Sequence, residues 1–284
     1  MLCNRRVTMP IEMNQLFDQV YKIPQVPEVV RNLIIQLNDP DFDMDVIAKN
    51  VTKDQVISMK VLRLVNSAHF GLSRKLASIE EAVVMLGMKQ LKTLVIASGI
   101  VSSVPEIKDF DIKAFWSDSF RTATYAKWIA DEIGADGETV FTAGLISDMG
   151  KLLIHMGESS VAQEIEQRVQ AGDERSHAEE HQLGFTNAEV CAELCRRWKF
   201  PESLIQTVAQ SNEPLKFEDV SSESCIVNIA KYLSECRRDN LSIEDMMETF
   251  PAEVLGKLSL DQAQLTEKLP TLLETNSGLE SLAA

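Results

Sequence analysis

The sequence predicts an all-α protein, on three observations. Apolar residues recur at helical spacing over most of the chain. Two helix-start patterns, Ser78-Ile79-Glu80-Glu81 and Thr186-Asn187-Ala188-Glu189, set a hydroxyl at a free N–H and a carboxylate three residues on that can reach back. No alternating apolar–polar run of useful length is present, since VVML and TLVIA, though rich in β-formers, sit inside helical periodicity.

The elements follow in order. Val29, Val30, Leu33, Ile34 and Leu37 share one face of a helix that begins near Pro27 and ends at Asn38-Asp39-Pro40. A short helix after Asp43 turns Val46, Ile47 and Val51 inward, and Asp54 caps a third that carries Val56, Met59, Leu62 and Val65. The helix opened by Ser78 stops near Gly87, and another runs from Met88 to about Ser103, short of Pro105. A long helix covers Ile112–Ile133 and ends at Gly134, with Phe110, Phe115, Trp116 and Trp128 in the core or between lobes. One helix is expected over Glu138–His155, with Gly144 and Gly150 permitting close packing and His155 facing the helix-end dipole. The Thr186 helix ends near Trp198, and Pro201 suits the first turn of the next. Later helices cover Ser222–Cys236, Ile243–Thr249 and Leu260–Thr275, giving roughly twelve helices or more.

The 284 residues, 45 % of them hydrophobic, suffice for a substantial core. The most apolar stretch, Leu94–Val104, is interrupted by Ser98, Gly99, Ser102 and Ser103, so no membrane span is expected. The N-terminus has two arginines but no apolar region behind them, so no secretory signal is expected. Cysteines at 3, 191, 195, 225 and 236 form no dense framework and read as reduced thiols in a cytoplasm. Cys191 and Cys195, one turn apart, lack the further ligands of a metal site and read as small buried residues. The net charge of −15, from 43 acidic and 28 basic side chains, argues against nucleic acid as a partner.

The stretches IPQVPEVVRNLIIQLNDPDFDMDVIAKNVTKDQVISMKVLRLVNSAHFG and SIEEAVVMLGMKQLKTLVIA are followed, in order, by FWSDSFRTATYAKWIA, FTAGLISDMGKLLI, LGFTNAEVCAELCRRWKFP and QSNEP. Together they resemble the HDOD family, the HD-related output domain of bacterial signalling proteins. The resemblance covers about residues 15–215 and weakly the tail to 236. It implies an HD-like multi-helix bundle preceded by an N-terminal helical lobe. The implied division is 15–104 for the lobe, 110–215 for a degenerate HD-like bundle, and 216–284 for a C-terminal helical extension packing on the bundle.

HD hydrolases hold one or two metal ions with imidazole and carboxylate, which lowers the pKa of bound water and polarises a phosphate. Matching positions here are altered. Asp118 stands at or next to one His position, the His-Asp pair becomes Ser147-Asp148, Asn187 replaces a further His, Ser211-Asn212 replaces a His pair, and Lys231 takes the distal Asp position. No catalytic residue, metal or cofactor is therefore expected. A charged lysine has no lone pair for a metal; Lys231 either pairs with Asp148 or is an ordinary exposed helix residue. His69, His155, His177 and His181 fall at none of the ligand positions, and His177 and His181 read as surface residues one helical turn apart. Phosphate-loop, dinucleotide and nucleophile-elbow motifs are lacking.

Asn66, Ser67 and His69 form a candidate recognition segment; the competing reading is a helix-ending turn with Gly71 left-handed. Arg196, Arg197 and Lys199 around Trp198 read as a solvated helix end over a buried indole. The expectation is a non-catalytic, cytoplasmic signalling module that binds a protein partner or a small-molecule ligand. Residues 1–14 and 240–284 are too short for a receiver or cyclase domain, so its signal is expected from a separate chain or a ligand. The alternative is a metal-dependent phosphohydrolase acting on a nucleotide or cyclic dinucleotide through an altered metal site of Asp118, Asp148 and a carboxylate from the Glu174–Glu180 stretch.

Overall fold

The structure, a computed structural model, describes residues 12–20, 22–35, 44–276, 278, 279 and 282, with 44–47 described by backbone alone. Seventeen α-helices and no strand occur among them, so the all-α expectation is met. The N-terminal lobe comprises α1 (Met13–Gln19), α2 (Glu28–Ile35), α3 (Met44–Lys53), α4 (Gln55–Val65), α5 (Ile79–Leu86) and α6 (Met88–Ser103). The bundle comprises α7 (Ile112–Ile133), α8 (Gly137–Ile146), α9 (Met149–Gly157), α10 (Ser159–Gln170), α11 (Arg175–Leu183), α12 (Asn187–Arg197), α13 (Glu202–Gln210) and α14 (Ser222–Arg238). Three short or peripheral helices close the chain: α15 (Ile243–Glu248), α16 (Ala252–Leu255) and α17 (Gln262–Glu274).

The caps explain several boundaries. Asp54 accepts from the N–H groups of Val56 and Ile57, both at 3.1 Å, and Asp111 accepts from Ala114 N at 3.0 Å. Thr186 forms the full capping box: its hydroxyl accepts from Glu189 N at 3.3 Å, and Glu189 accepts from Thr186 N at 2.7 Å. At α5, Ser78 accepts from Glu81 N as expected, but the Glu81 carboxylate reaches Ala77 N instead of the cap's own amide. Leu37 and the Asn38-Asp39-Pro40 stop of the second helix, and the side chains of Val46 and Ile47, lie outside the described residues.

One expectation is corrected. The helix over Glu138–His155 is two helices, broken at Ser147-Asp148. The break has a steric cause nearby: a Cβ on Gly150 would lie 1.8 Å from the backbone oxygen of Asn187. The chain bends so that α9 can pass against the start of α12, and only glycine fits at the contact. Helices α1, α10, α11 and α16 also appear where the sequence reading placed no defined helix.

Long α7 is the spine of the bundle, with α8 and α14 packed along it. Gly144 of α8 meets the Ala123 backbone of α7, where a Cβ would lie 3.0 Å from its Cα. Thus α14, beyond residue 215, is integral to the bundle and carries Lys231 inward. The lobes are clamped together by Trp198, whose Nε1 donates to Pro24 O at 2.9 Å, and by Arg197, whose guanidinium lies 4.1 Å above the Phe17 ring. The Arg196–Lys199 segment is therefore an interlobe contact at its Arg197 and Trp198 positions.

Candidate functional site

The break between α8 and α9 sets the site. Ser147 is buried, and its hydroxyl donates back to Gly144 O at 3.0 Å. Asp148 begins α9 without capping it, which leaves the carboxylate free to face outward from the helix end. Its Oδ2 lies 2.9 Å from Lys151 Nζ, one turn on, and its Oδ1 lies 2.8 Å from Lys231 Nζ of α14. The second contact is an ion pair, and the same Lys231 ammonium, with three N–H donors, also donates to Asn212 Oδ1. Burial pushes the Asp148 carboxyl up, but Lys151 and Lys231 outweigh that and hold it well below the usual carboxylate range.

Asn212 is presented by the turn after α13. Asn228 of α14 donates to the carbonyls of Ser211 and Asn212, at 2.8 and 2.9 Å, and pins that turn. The Ser211 hydroxyl is turned back onto Val208 O at 2.9 Å. Behind α9, fully buried Asn187 donates its backbone N–H to Glu179 at 2.7 Å and its amide N–H groups to both Glu179 oxygens at 3.1 and 2.8 Å. Burial pushes the Glu179 carboxyl up despite these donors and the Arg175 charge. Arg175, 3.5 Å from Glu179, is itself forked onto both oxygens of Glu166 at 2.8 Å. Lys151, Arg175, Ser211, Asn212, Asn228 and Lys231 line a cavity of about 460 Å³.

The structure thus gathers Ser147, Asp148, Asn212 and Lys231 in one place, with Ser211 lining it and Asn187 behind. Lys231 takes the buried, paired alternative: it is 9 % exposed. Asp118 does not join them. Its oxygens are taken by Arg121 at 2.8 Å and Arg238 at 3.2 Å, two guanidiniums that hold it at a different cavity. Sequence reasoning missed Lys151 and Arg175, and reached Glu179 only as one carboxylate of the Glu174–Glu180 stretch. Of the two missed, Lys151 left a signal, the three-residue spacing from Asp148 in SDMGK.

This donor set does not fit the divalent metal of an HD hydrolase. Both Asp148 oxygens face ammonium groups, the amide N–H groups of Asn187 face Glu179, and the Ser211 hydroxyl faces its own helix. Among the described residues no group of three His, Cys, Asp or Glu side chains is placed to hold a metal. His177 and His181 are exposed, while Cys191 is buried with its thiol on Ile146 O at 2.9 Å. His155 packs on Phe110 with ring centroids 4.9 Å apart.

The candidate recognition segment lies in the N-terminal lobe. Asn66 is a loop staple: its amide donates to Leu76 O at 2.8 Å and accepts from Leu76 N at 2.7 Å. Gly71 is left-handed, φ 56°, as the turn reading requires. His69 is exposed and edge-on to Phe70, and Ser67 Oγ is buried with no hydrogen-bond partner among the described residues.

The sequence model of the HDOD domain matches residues 23–214. The chain belongs to the HDOD domain family. A Shewanella amazonensis SB2B protein named as a candidate phosphohydrolase is 31 % identical, with a TM-score of 0.79, covering 96 % of this chain and 100 % of its own. A Geobacter sulfurreducens HDOD domain protein of unknown function is 24 % identical, with a TM-score of 0.76, covering 95 % and 96 % of the two chains, and shows the same fold. An uncharacterized protein of Treponema pallidum (strain Nichols) is 26 % identical over 206 residues, 67 % of this chain. This HDOD chain spans only 38 % of that relative's length. Among the described residues no helix is long and apolar enough to cross a membrane.

Proposed function

We propose that this HDOD protein is a non-catalytic regulatory module of bacterial signal transduction that acts in the cytoplasm through a protein partner or a small ligand. The observation that carries the reading is the Lys231 ammonium seated 2.8 Å from Asp148. In an HD hydrolase a carboxylate at this place ligates a cation; here the cation is supplied by the chain itself and cannot activate water. The depressed Asp148 carboxyl is also a poor proton acceptor near neutral pH, so the pair supplies no general base.

The test is metal content by mass spectrometry after expression with manganese and iron supplied. Less than about one-tenth of an equivalent agrees with the reading. A near-stoichiometric metal that disappears in Asp148→Ala sinks it. The second reading, a metal-dependent phosphohydrolase acting on a nucleotide or cyclic dinucleotide, draws support from the name of the 31 % identical Shewanella protein. It requires Lys231 to leave Asp148, and a phosphodiester and nucleotide hydrolysis screen checks it.

A further inference from the structure

A second cavity, about 680 Å³, lies between α7, the last turn of α14 and the end of α17. Arg121, Arg237 and Arg238 all line it, and its one lining carboxylate is Glu274. The lining carries three guanidiniums and one carboxylate, with Asp118 and Asp239 paired to Arg121 and Arg238 beside it, so Arg237 is the lining guanidinium left without an ion pair among the described residues.

The arginines are arranged as well as gathered. Asp118 receives Arg121 Nη1 on one oxygen at 2.8 Å and Arg238 Nη1 on the other at 3.2 Å. Arg121 Nη1 also donates to Ser234 O at 3.2 Å, and Arg238 Nε to Asp239 at 3.1 Å. A guanidinium carries five N–H donors in a planar fork. Arg121 Nη2 also reaches Ser117 Oγ at 3.5 Å, so Arg121 Nε and Arg238 Nη2 are the donors without a hydrogen bond to the described residues, and Arg237 makes no hydrogen bond or ion pair with them. The dipole at the end of α14 accounts for basic residues at 237 and 238. It does not account for a third arginine brought by α7 with a carboxylate committed to holding it beside them. The remaining polar lining, including Ser117, Thr124 and Asn240, suits a hydroxylated ligand over an apolar one. The volume is that of a small-molecule site, and guanidinium forks match phosphoryl oxygens in geometry and charge.

We propose that this cleft binds a phosphorylated small molecule of nucleotide size, its phosphoryl group held by Arg121, Arg237 and Arg238. Arg238 also lines the cavity of Lys151 and Lys231, so the two cavities share that side chain. The proposal gives the small-ligand part of the proposed function a place and a chemistry. It is decided by binding, whereas the non-catalytic reading is decided by metal content, so the two fail separately.

The experiment is calorimetric titration of the full chain with ADP and with inorganic pyrophosphate, with sulfate as comparison. Saturable one-to-one binding of either phosphorylated probe, tighter than sulfate and weakened by added salt, is expected. Arg237→Ala removes an exposed side chain that holds nothing else and weakens binding about tenfold or more. Asp118→Ala weakens it, and Asp118→Glu, which keeps the charge between the two arginines, recovers it. Lys231→Met leaves it unchanged. Absence of saturable binding at millimolar probe, equal affinity for sulfate, or binding kept in Arg237→Ala and lost in Lys231→Met overturns the proposal.

Discussion

Replacing Lys231 by methionine isolates the pair on which the functional reading turns. The variant loses the 2.8 Å ion pair with Asp148 and the donor to Asn212 Oδ1. Removing one partner of a buried pair costs about 3–5 kcal/mol, because the other charge stays buried. Here Lys151 still stands 2.9 Å from Asp148, whose side chain keeps 23 % of its surface in solvent, so the charge is not abandoned. Discounting for both, and adding about 1 kcal/mol for the orphaned Asn212 acceptor, gives a loss of about 2–3 kcal/mol. Urea unfolding reads it as a lower midpoint at unchanged slope. The pH dependence has a definite sign. A carboxyl held below its unfolded value contributes stability that is present above about pH 4 and lost as pH falls toward the folded value. The gap between the two proteins is therefore full at pH 7 and narrows toward pH 3.5. A gap under about 0.5 kcal/mol at pH 7, or one that does not change with pH, refutes the reasoning.

Three further predictions follow from other contacts. Gly150→Ala drives a Cβ to within 1.8 Å of the Asn187 carbonyl and costs about 3 kcal/mol by denaturant unfolding, whereas Gly256→Ala, with 3.4 Å to its nearest neighbour, changes stability by less than about 0.5 kcal/mol. Trp198→Phe removes the 2.9 Å bond to buried Pro24 O, costs about 1–2 kcal/mol, and speeds hydrogen exchange in α2 more than in α7. Asn66→Ala deletes both bonds to Leu76 and exposes the loop between them; tryptic cleavage after Arg74 or Lys75 accelerates, and an unchanged rate counts against Asn66 as the staple.

Where chain-local chemistry decides structure, the sequence is legible. The bounds of α7 follow from Asp111 at one end and left-handed Gly134 at the other, and the Thr186 capping box is present in full. The α8–α9 break was not legible, because apolar periodicity runs straight through Ser147-Asp148 and the obstacle that bends the chain is the backbone of residue 187. Helices α10 and α11 carry acidic, weakly apolar sequences that read as solvated surface. Within one of them Glu179 is buried only because Asn187 and Arg175 receive it. The residues of the site could be aligned through the family resemblance, and the Lys231–Asp148 pairing could be named as one of two readings, but the contacts of Asn212, Asn187 and Asp118 could not. Lys231 and Asp148 are 83 positions apart, and Asp118 meets Arg238 across a separation of 120. The arginine cleft left no trace, since residue 121 and residues 237–238 are neighbours only once α14 lies along α7.

Helix α9 is fixed at both ends by contacts that leave no room for a side chain. At one end Gly150 touches the α12 backbone; at the other, a Cβ on Gly157 would lie 2.7 Å from Leu16 of α1. The helix between is a strut about 12 Å long, with Asp148 at its head and the N-terminal lobe at its foot. One nine-residue helix thus joins the charged pair to the interface between the lobes.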